Sequence, residues 1–447
     1  MKRALALLLA LCVCLVCLPG GALELQDCHR VKLTRHDEKQ SNGSVVRQWQ
    51  VQTALPEVDE ELRELRQAYV DELAPSLKPA KNTTSQNSRL DVETRYSRTG
   101  LSWLSFVVQA RVTYHRELIE QQLTTRTYDM ERGTRVYLVD IFEDENEEAW
   151  AMVEREVRAQ LTAYFPDTEP DQAALDELCT HEALTYADFS LHGMSLVLHY
   201  PAQALYPGKH TLMDVVLYYP AIRGYMTEEA RAQTDNTAYY KTCALTFDDG
   251  PSRTNTTVLL NNLMSEGSLA TFFVLGNRIE EYVDLVQKEH DNGHAVASHN
   301  WSHVDIRKTS TANIRSMRDK VDRQMIAAFG LPAPYDRVPY GLYPQMIKAK
   351  VGWAYIQWSV DTYDWRDRST KAVLATVKKE IHDGAIILCH DIKDNTPESA
   401  KQICRWLAEN GYIMLTVDEL FAKDGVTLEP NTVYYRCENG DTSIKKR

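Results

Sequence analysis

Five short polar clusters in the second half of this 447-residue chain carry the residue types of hydrolytic chemistry. Thr246-Phe247-Asp248-Asp249-Gly250-Pro251 sets two carboxylates side by side ahead of turn residues. Adjacent acids repel, so a cation is their natural neutraliser. His299-Asn300-Trp301-Ser302-His303 supplies two imidazoles at i and i+4, a spacing that on one helical turn faces both rings to a single ligand position. A carboxylate with two imidazoles leaves an open position for water, the arrangement of a catalytic rather than a structural zinc. Leu388-Cys389-His390-Asp391 adds a third His, and Arg337-Val338-Pro339-Tyr340-Gly341 and Asp361-Thr362-Tyr363-Asp364-Trp365 lie between. Each cluster alone has an ordinary reading as a capped turn, a surface His pair or a loop with an aromatic anchor. Coincidence is a poor account of all five, because each closes a different predicted strand.

Those strands form the frame that must position the clusters. From Tyr240 onward, short apolar runs at 243–247, 270–275, 295–297, 354–360, 385–389 and 412–417 alternate with amphipathic stretches such as Ile314, Met317, Val321 and Met325. This rhythm predicts a parallel sheet, open or closed into a barrel, with functional residues just past the C-terminal ends of the strands. The preceding region, 23–230, reads as an antiparallel α+β domain. Val58, Leu62, Leu65, Tyr69 and Leu73 recur at helical spacing, and another helix is predicted near 147–164. Strict alternation from Leu104 to Tyr114 predicts a strand with one wet face, with further strands at 189–200 and 212–219. The polar stretch 231–239 separates the two regions as a linker, and 426–447 is a C-terminal extension.

Composition narrows the setting. Hydrophobic residues make up 44% and charged residues 25%, an ordinary globular mix that disfavours extensive disorder or a multi-span membrane protein. A net charge of −13 repels a polyphosphate backbone, so nucleic acid is not an expected partner. Lys2 and Arg3 precede an apolar run at 4–18, followed by Gly20 and Ala22 at the −3 and −1 positions of a cleavage site. Residues 1–22 therefore read as a secretory signal, with a membrane anchor through an uncleaved N-terminus as the alternative. Export makes disulfides permissible among Cys28, Cys179, Cys243, Cys389, Cys404 and Cys437, although their wide spacing fits buried free thiols equally well.

The five clusters resemble, in family order and across roughly residues 240–420, those of the polysaccharide deacetylases with a NodB homology domain, carbohydrate esterase family 4. The resemblance implies an α/β fold, a distorted (β/α) barrel of the NodB type over 240–425, preceded by an α+β domain. It implies Asp248 as catalytic base held by Arg337, and His390 as general acid oriented by Asp364 rather than Asp361. It also implies Asp249, His299 and His303 as ligands of a divalent metal, Zn2+ first, with Co2+, Ni2+ or Mn2+ as alternatives. On the substrate side, Tyr340 offers its backbone N–H to an oxyanion, and Trp365 and Leu388 line an acetyl pocket. Asn300 departs from the family's usual Ser or Thr, and Val338 from its commoner Pro. The N-terminal region resembles the RsiV-type extracellular domain, on the strand at 101–114, the segment 137–142 and the strands at 189–219.

The activity so implied is metal-dependent removal of N-acetyl groups from amino sugars of an extracellular or cell-surface polysaccharide, with peptidoglycan as the expected cell-wall glycan. Chitin-type N-acetylglucosamine oligomers and acetylated xylan are alternatives within the same chemistry. A non-catalytic protein binding the cell wall or a lysozyme-like partner is the reading from a different class. The accessory domain is the candidate for binding cell wall or protein.

Overall fold

Residues 30–78, 88–344, 346, 350–366 and 369–443 are described by the computed structural model of the chain. The proposed signal at 1–22 and Cys28 lie outside the described residues. Three layers of strand follow in order. The first is a six-stranded sheet, β1 (Lys32–Lys39), β2 (Val45–Gln52), β3 (Ser88–Thr99), β4 (Trp103–Tyr114), β5 (Glu117–Asp129) and β6 (Thr134–Val136), ordered as in the sequence and antiparallel except for the β2/β3 pair. Helix α1 (Pro56–Leu73) lays Val58, Leu62, Tyr69 and Leu73 on one face of this sheet, and Leu90, Val92, Phe106 and Val108 meet it from β3 and β4. The helical spacing of those residues is what puts them on one side.

The second layer is a three-stranded antiparallel sheet, β7 (Phe189–Leu191), β8 (Ser195–Pro201) and β9 (Leu212–Tyr218). Helix α2 (Glu147–Ala163), capped by the Asn146 side chain on the Ala149 N–H, packs on it through Val153, Val157 and Leu161. The expected wet face of β4 is not wet. Every residue from Trp103 to Thr113 is buried, because the polar side of β4, with Ser105, Gln109 and Arg111, is covered by β7 and by the following domain. Alternation correctly marked a strand, but burial of its second side depends on chain far away in sequence.

The third layer is a parallel sheet in which β10 (Lys241–Asp248) is central. It pairs with β11 (Thr271–Val274), β15 (Ala385–His390) and β16 (Tyr412–Leu415), while β12 (Ala295–Ser298) flanks β11 and β14 (Val360–Asp361) flanks β15. Single bridges from Ser298 to Asp336 and from Asp336 to Tyr355 continue the wall beyond β12 to β13 (Tyr355–Ile356), so the sheet curls into a distorted barrel. Helices α3 (Asn255–Ser265), α4 (Val283–Asp291), α5 (Thr311–Phe329), α6 (Thr370–Glu380) and α7 (Thr396–Glu409) lie outside it. Ser310 caps the start of α5 and left-handed Gly330 (φ 95°) ends it, which fixes the face that buries Val321 and Met325.

Two connecting segments are structured. The stretch expected as a linker contains helical turns at Glu228–Gln233 and Asn236–Tyr239, and buried Asn236 accepts from the Gly100 N–H and donates to the Gly193 carbonyl. The C-terminal extension contributes β17 (Val433–Tyr434), which pairs with β13. Gly384 allows its return: φ is 72°, and a Cβ there would lie 1.9 Å from the Cys437 carbonyl oxygen. The five described cysteines are free and buried, and among the described residues no helix is long and apolar enough to cross a membrane.

Candidate active site

The register of the barrel decides what meets what. β10 and β15 run parallel with Asp248 opposite His390 and Thr246 opposite Leu388, while β11 places Phe273 beside Asp248. All the sequence clusters therefore emerge at one end of the sheet, where parallel strands turn into loops.

Asp248 is the last residue of β10 and is buried. Its Oδ1 accepts from Arg337 Nη1 at 2.8 Å, and the same nitrogen donates to Thr246 Oγ1 at 2.7 Å. The rest of the guanidinium is engaged by the Ile356 and Gln357 carbonyls at 3.1 Å each, and its carbon lies 4.0 Å from the Phe273 ring centroid. Full burial lowers the Arg337 pKa, and the neighbouring Asp248 charge opposes that shift. The side chain is a rigid buried fork with a carboxylate at its tip.

The next residue turns away. Asp249 has φ 78°, and its Oδ1 lies 3.4 Å from His299 Nε2 and 3.5 Å from His303 Nε2. One ligand atom from each of these three residues falls within 4.8 Å of the other two. Burial pushes the Asp249 carboxyl up, but the close approach of His299 first, and then the His390 and His303 rings, bring it down to about 2. His299 Nδ1 lies 2.7 Å from the Arg337 carbonyl and donates to it, which leaves Nε2 unprotonated in the neutral ring. Asp249 Oδ1 is itself buried without a hydrogen-bond partner. A divalent cation fits this group: a low-pKa carboxylate oxygen lacking a donor, beside an imidazole nitrogen left free by its second-sphere bond.

The two histidines converge, though not on a helical turn as the spacing suggested. Asn300 takes a left-handed conformation (φ 69°) and Trp301 to His303 form bends. The turn is possible because Asn tolerates positive φ; its Oδ1 accepts from the Trp301 N–H at 2.7 Å. The departure at this position thus has a backbone rationale. Val338 is buried against Ile306 and Ile314, filling space on the inner side of its loop.

On the other side of Asp248, His390 Nδ1 donates to Asp364 Oδ1 at 2.7 Å, and the His390 N–H donates to Asp364 Oδ2 at 2.8 Å. Thr396 Oγ1 also donates to Oδ2. Asp361 instead accepts from the Tyr363 N–H. Burial lowers the His390 pKa, but the hydrogen bond and charge of Asp364, with Asp248 and Asp249 behind it, raise it to about 9. Tyr340 and Trp365 are exposed at the rim, Tyr340 at φ 59° with its ring 4.3 Å from that of His303, whereas Leu388 is buried in the floor.

Sequence reasoning passed over Asp391. It is buried, accepts from Thr256 Oγ1, and sits so close beneath Gly250 that a Cβ there would lie 2.0 Å from its Oδ2. Burial, with Asp249 and Asp248 nearby, pushes this carboxyl up to about 7. The only signal in the sequence was its place directly after His390.

The site thus combines a buried carboxylate able to accept a proton, an imidazole poised to donate one, and a carboxylate–imidazole trio that could hold a cation. The model of the polysaccharide deacetylase family matches residues 235–355. The chain is 38% identical over 183 residues to the peptidoglycan-N-acetylglucosamine deacetylase PgdA of Listeria monocytogenes, covering 41% of this chain and 39% of that one. It is 32% identical over 180 residues to the peptidoglycan-N-acetylmuramic acid deacetylase PdaC of Bacillus subtilis, covering 40% and 38%. The chain therefore spans about two fifths of the length of these two relatives. An uncharacterized 30.6 kDa protein of Geobacillus stearothermophilus is 31% identical over 183 residues, with 39% of this chain and 69% of that one covered. On these matches the chain belongs to the polysaccharide deacetylase family.

Proposed function

We propose that this protein hydrolyses the N-acetyl group of amino sugars in a cell-wall polysaccharide, peptidoglycan foremost, and releases acetate outside the cell. The observation that carries this reading is the pair of oppositely prepared groups flanking one cation site: Asp248 fixed by Arg337, and His390 held protonated by Asp364. Asp249, His299 and His303 would hold the divalent metal, which when bound would supply Lewis-acid polarisation of the acetyl carbonyl and a more acidic water. Asp248 accepts the proton of the attacking water as general base. Negative charge gathering on the carbonyl oxygen is met by the Tyr340 N–H. As the carbon–nitrogen bond breaks, His390 Nε2–H passes its proton to the departing sugar nitrogen, leaving a free amine and acetate. Trp365 and Leu388 enclose the methyl group. Zn2+ is the expected metal, with Co2+, Ni2+ or Mn2+ able to occupy the same ligand types.

The two named relatives carry different sugars in their names, N-acetylglucosamine for PgdA and N-acetylmuramic acid for PdaC, so either peptidoglycan sugar is a candidate. The test is to treat peptidoglycan, chitin oligomers and acetylated xylan with the Zn2+-loaded protein, quantify acetate and locate the deacetylated residue by mass spectrometry. Acetate from peptidoglycan, abolished by Asp248→Asn and by chelation, is expected. Acetate from xylan or chitin oligomers alone would move the substrate, and none from any glycan would leave a binding protein.

A further inference from the structure

The C-terminal extension reaches into the frame of the proposed site. Strand β17 runs parallel to β13: the Tyr355 N–H donates to the Thr432 carbonyl at 2.9 Å, and the Gln357 N–H to the Tyr434 carbonyl at 2.7 Å. The other edge of β13 is held by Asp336, whose carbonyl accepts from the Ile356 N–H at 2.9 Å. On the strand so fixed stand the Ile356 and Gln357 carbonyls that engage the Arg337 guanidinium, which in turn grips Asp248.

The same segment also meets the loop that carries Tyr340. Val433 packs with Leu342 and Tyr343 against Ile306, Ile314 and Val338. Two residues on, Tyr435 Oη donates to Tyr343 Oη at 2.5 Å, with the rings edge-on and their centroids 6.1 Å apart. Tyr435 is itself pinned. Its N–H donates to the Thr442 carbonyl at 3.0 Å, and a bridge between Glu438 and Asp441 closes the intervening hairpin. The Cys437 N–H donates to the Gly384 carbonyl at 2.9 Å, which fastens that hairpin beside the start of β15.

Tyr340 needs anchors of this kind. A non-glycine residue keeps a left-handed backbone only where its surroundings fix it. Tyr340 holds φ 59° while 64% exposed, its ring against that of His303. The loop is secured on one side of it by buried Val338 and on the other by Tyr343.

We propose that the C-terminal strand is part of the catalytic apparatus and that Tyr435 is a positioning residue, which through Tyr343 keeps the Tyr340 N–H where the carbonyl oxygen gathers charge. This rests on the deacetylase reading above. An N–H aimed at a developing oxyanion is worth more in the transition state than in the bound substrate, so displacing it lowers kcat and leaves KM nearly unchanged. A tail that only braced the fold would affect thermal stability without that split.

The test compares Tyr435→Phe, Tyr343→Phe and the double variant with the unaltered full chain, all Zn2+-loaded. Acetate release from soluble peptidoglycan fragments gives kcat and KM, and amide hydrogen exchange over 338–343 is followed without substrate. Each single variant should lower kcat about tenfold, about 1.4 kcal/mol, keep KM within about twofold, and speed exchange in that segment. The double variant should be no slower than either single, because both remove one bond. Unchanged kcat, a loss carried wholly by KM, or effects that multiply in the double variant would overturn the proposal. No acetate from the unaltered chain would instead sink the deacetylase reading. Exchange over 338–343 unmoved by Tyr435→Phe would overturn the role of Tyr435 with or without activity.

Discussion

Arg337 joins the two halves of the proposed chemistry: its guanidinium grips Asp248, and its carbonyl accepts from His299 Nδ1. Removing the base and removing its holder should therefore differ. Asp248→Asn keeps an acceptor for Arg337 Nη1 but leaves the buried guanidinium charge uncompensated, so it should lower acetate release by about 10²- to 10⁴-fold, the usual weight of a general base, with a smaller fall in Tm than loss of the guanidinium fork. Arg337→Lys leaves carbonyls and a buried carboxylate short of donors, so it should lower both activity and Tm, as parallel kinetics and thermal unfolding would show. The His390–Asp364 pair gives a pH prediction. His390 is raised to about 9, so its protonated form, needed as acid, is lost only as pH climbs through that value. Its contribution to stability has the same sign: present in full below the ordinary His range and lost on the alkaline side. Asp364→Asn should move the alkaline limb of kcat/KM toward about 6.5, the unperturbed imidazole value; an unmoved limb would assign it to another group. Residue type and spacing pointed to a carboxylate with two imidazoles as a metal set, and the family resemblance then divided the roles, with Asp248 as proposed base, Asp249 as proposed ligand and His390 as proposed acid. The tautomer of His299 was legible in neither, because its partner is a backbone carbonyl 38 positions away.

At the scale of elements, alternation of short apolar runs with amphipathic stretches was enough to place β10, β11, β12 and β15, because buried parallel strands are apolar on both faces. What it could not show was closure. The single run read at 354–360 splits into β13 and β14, two residues each, and the pairing of β13 with the equally short β17 joins segments far apart in the chain. The i, i+4 histidines misled for a related reason: that spacing also suits a loop in which Asn300 reverses the backbone. Loop against loop, Asp391 is the bracket, tying the turn after β15 to Gly250 and Thr256 after β10. Its carboxyl is pushed up to about 7, so folding favours the protonated form. The associated stability is full below the usual carboxylate pKa of about 3.9, and is lost as pH rises through about 7. Asp391→Asn should flatten the dependence of Tm on pH between about 4 and 7 in the metal-free chain. An unchanged slope there would mean that the carboxyl is already ionised in the fold.

Across the whole molecule, the accessory layers and the barrel share a polar seam centred on Asp291 at the end of α4. Its carboxylate accepts from Arg111 Nη1 at 3.1 Å, Thr211 Oγ1 at 2.7 Å and the Leu212 N–H at 3.1 Å, while its carbonyl accepts from Arg95. Lys288 meets Glu93 one turn earlier. None of this was visible in the sequence, since a polar residue on a strand reads as solvent-facing until the partner that covers it is known. Breaking one side of a buried pair typically costs about 3–5 kcal/mol, because the remaining charge stays buried. Asp291→Ala strands Arg111 in this way and removes three acceptances at once, so Tm should fall by several degrees and calorimetry should show the accessory region and barrel unfolding apart. Asp291→Asn keeps an acceptor for Thr211 and Leu212 and should lose less. Because α4 packs on β12, which ends beside His299, the Ala variant should also weaken metal retention, measurable by titration with a Zn2+ chelator. A single unchanged transition with unchanged Zn2+ retention would show that the apolar contacts between the layers hold the two regions together without Asp291.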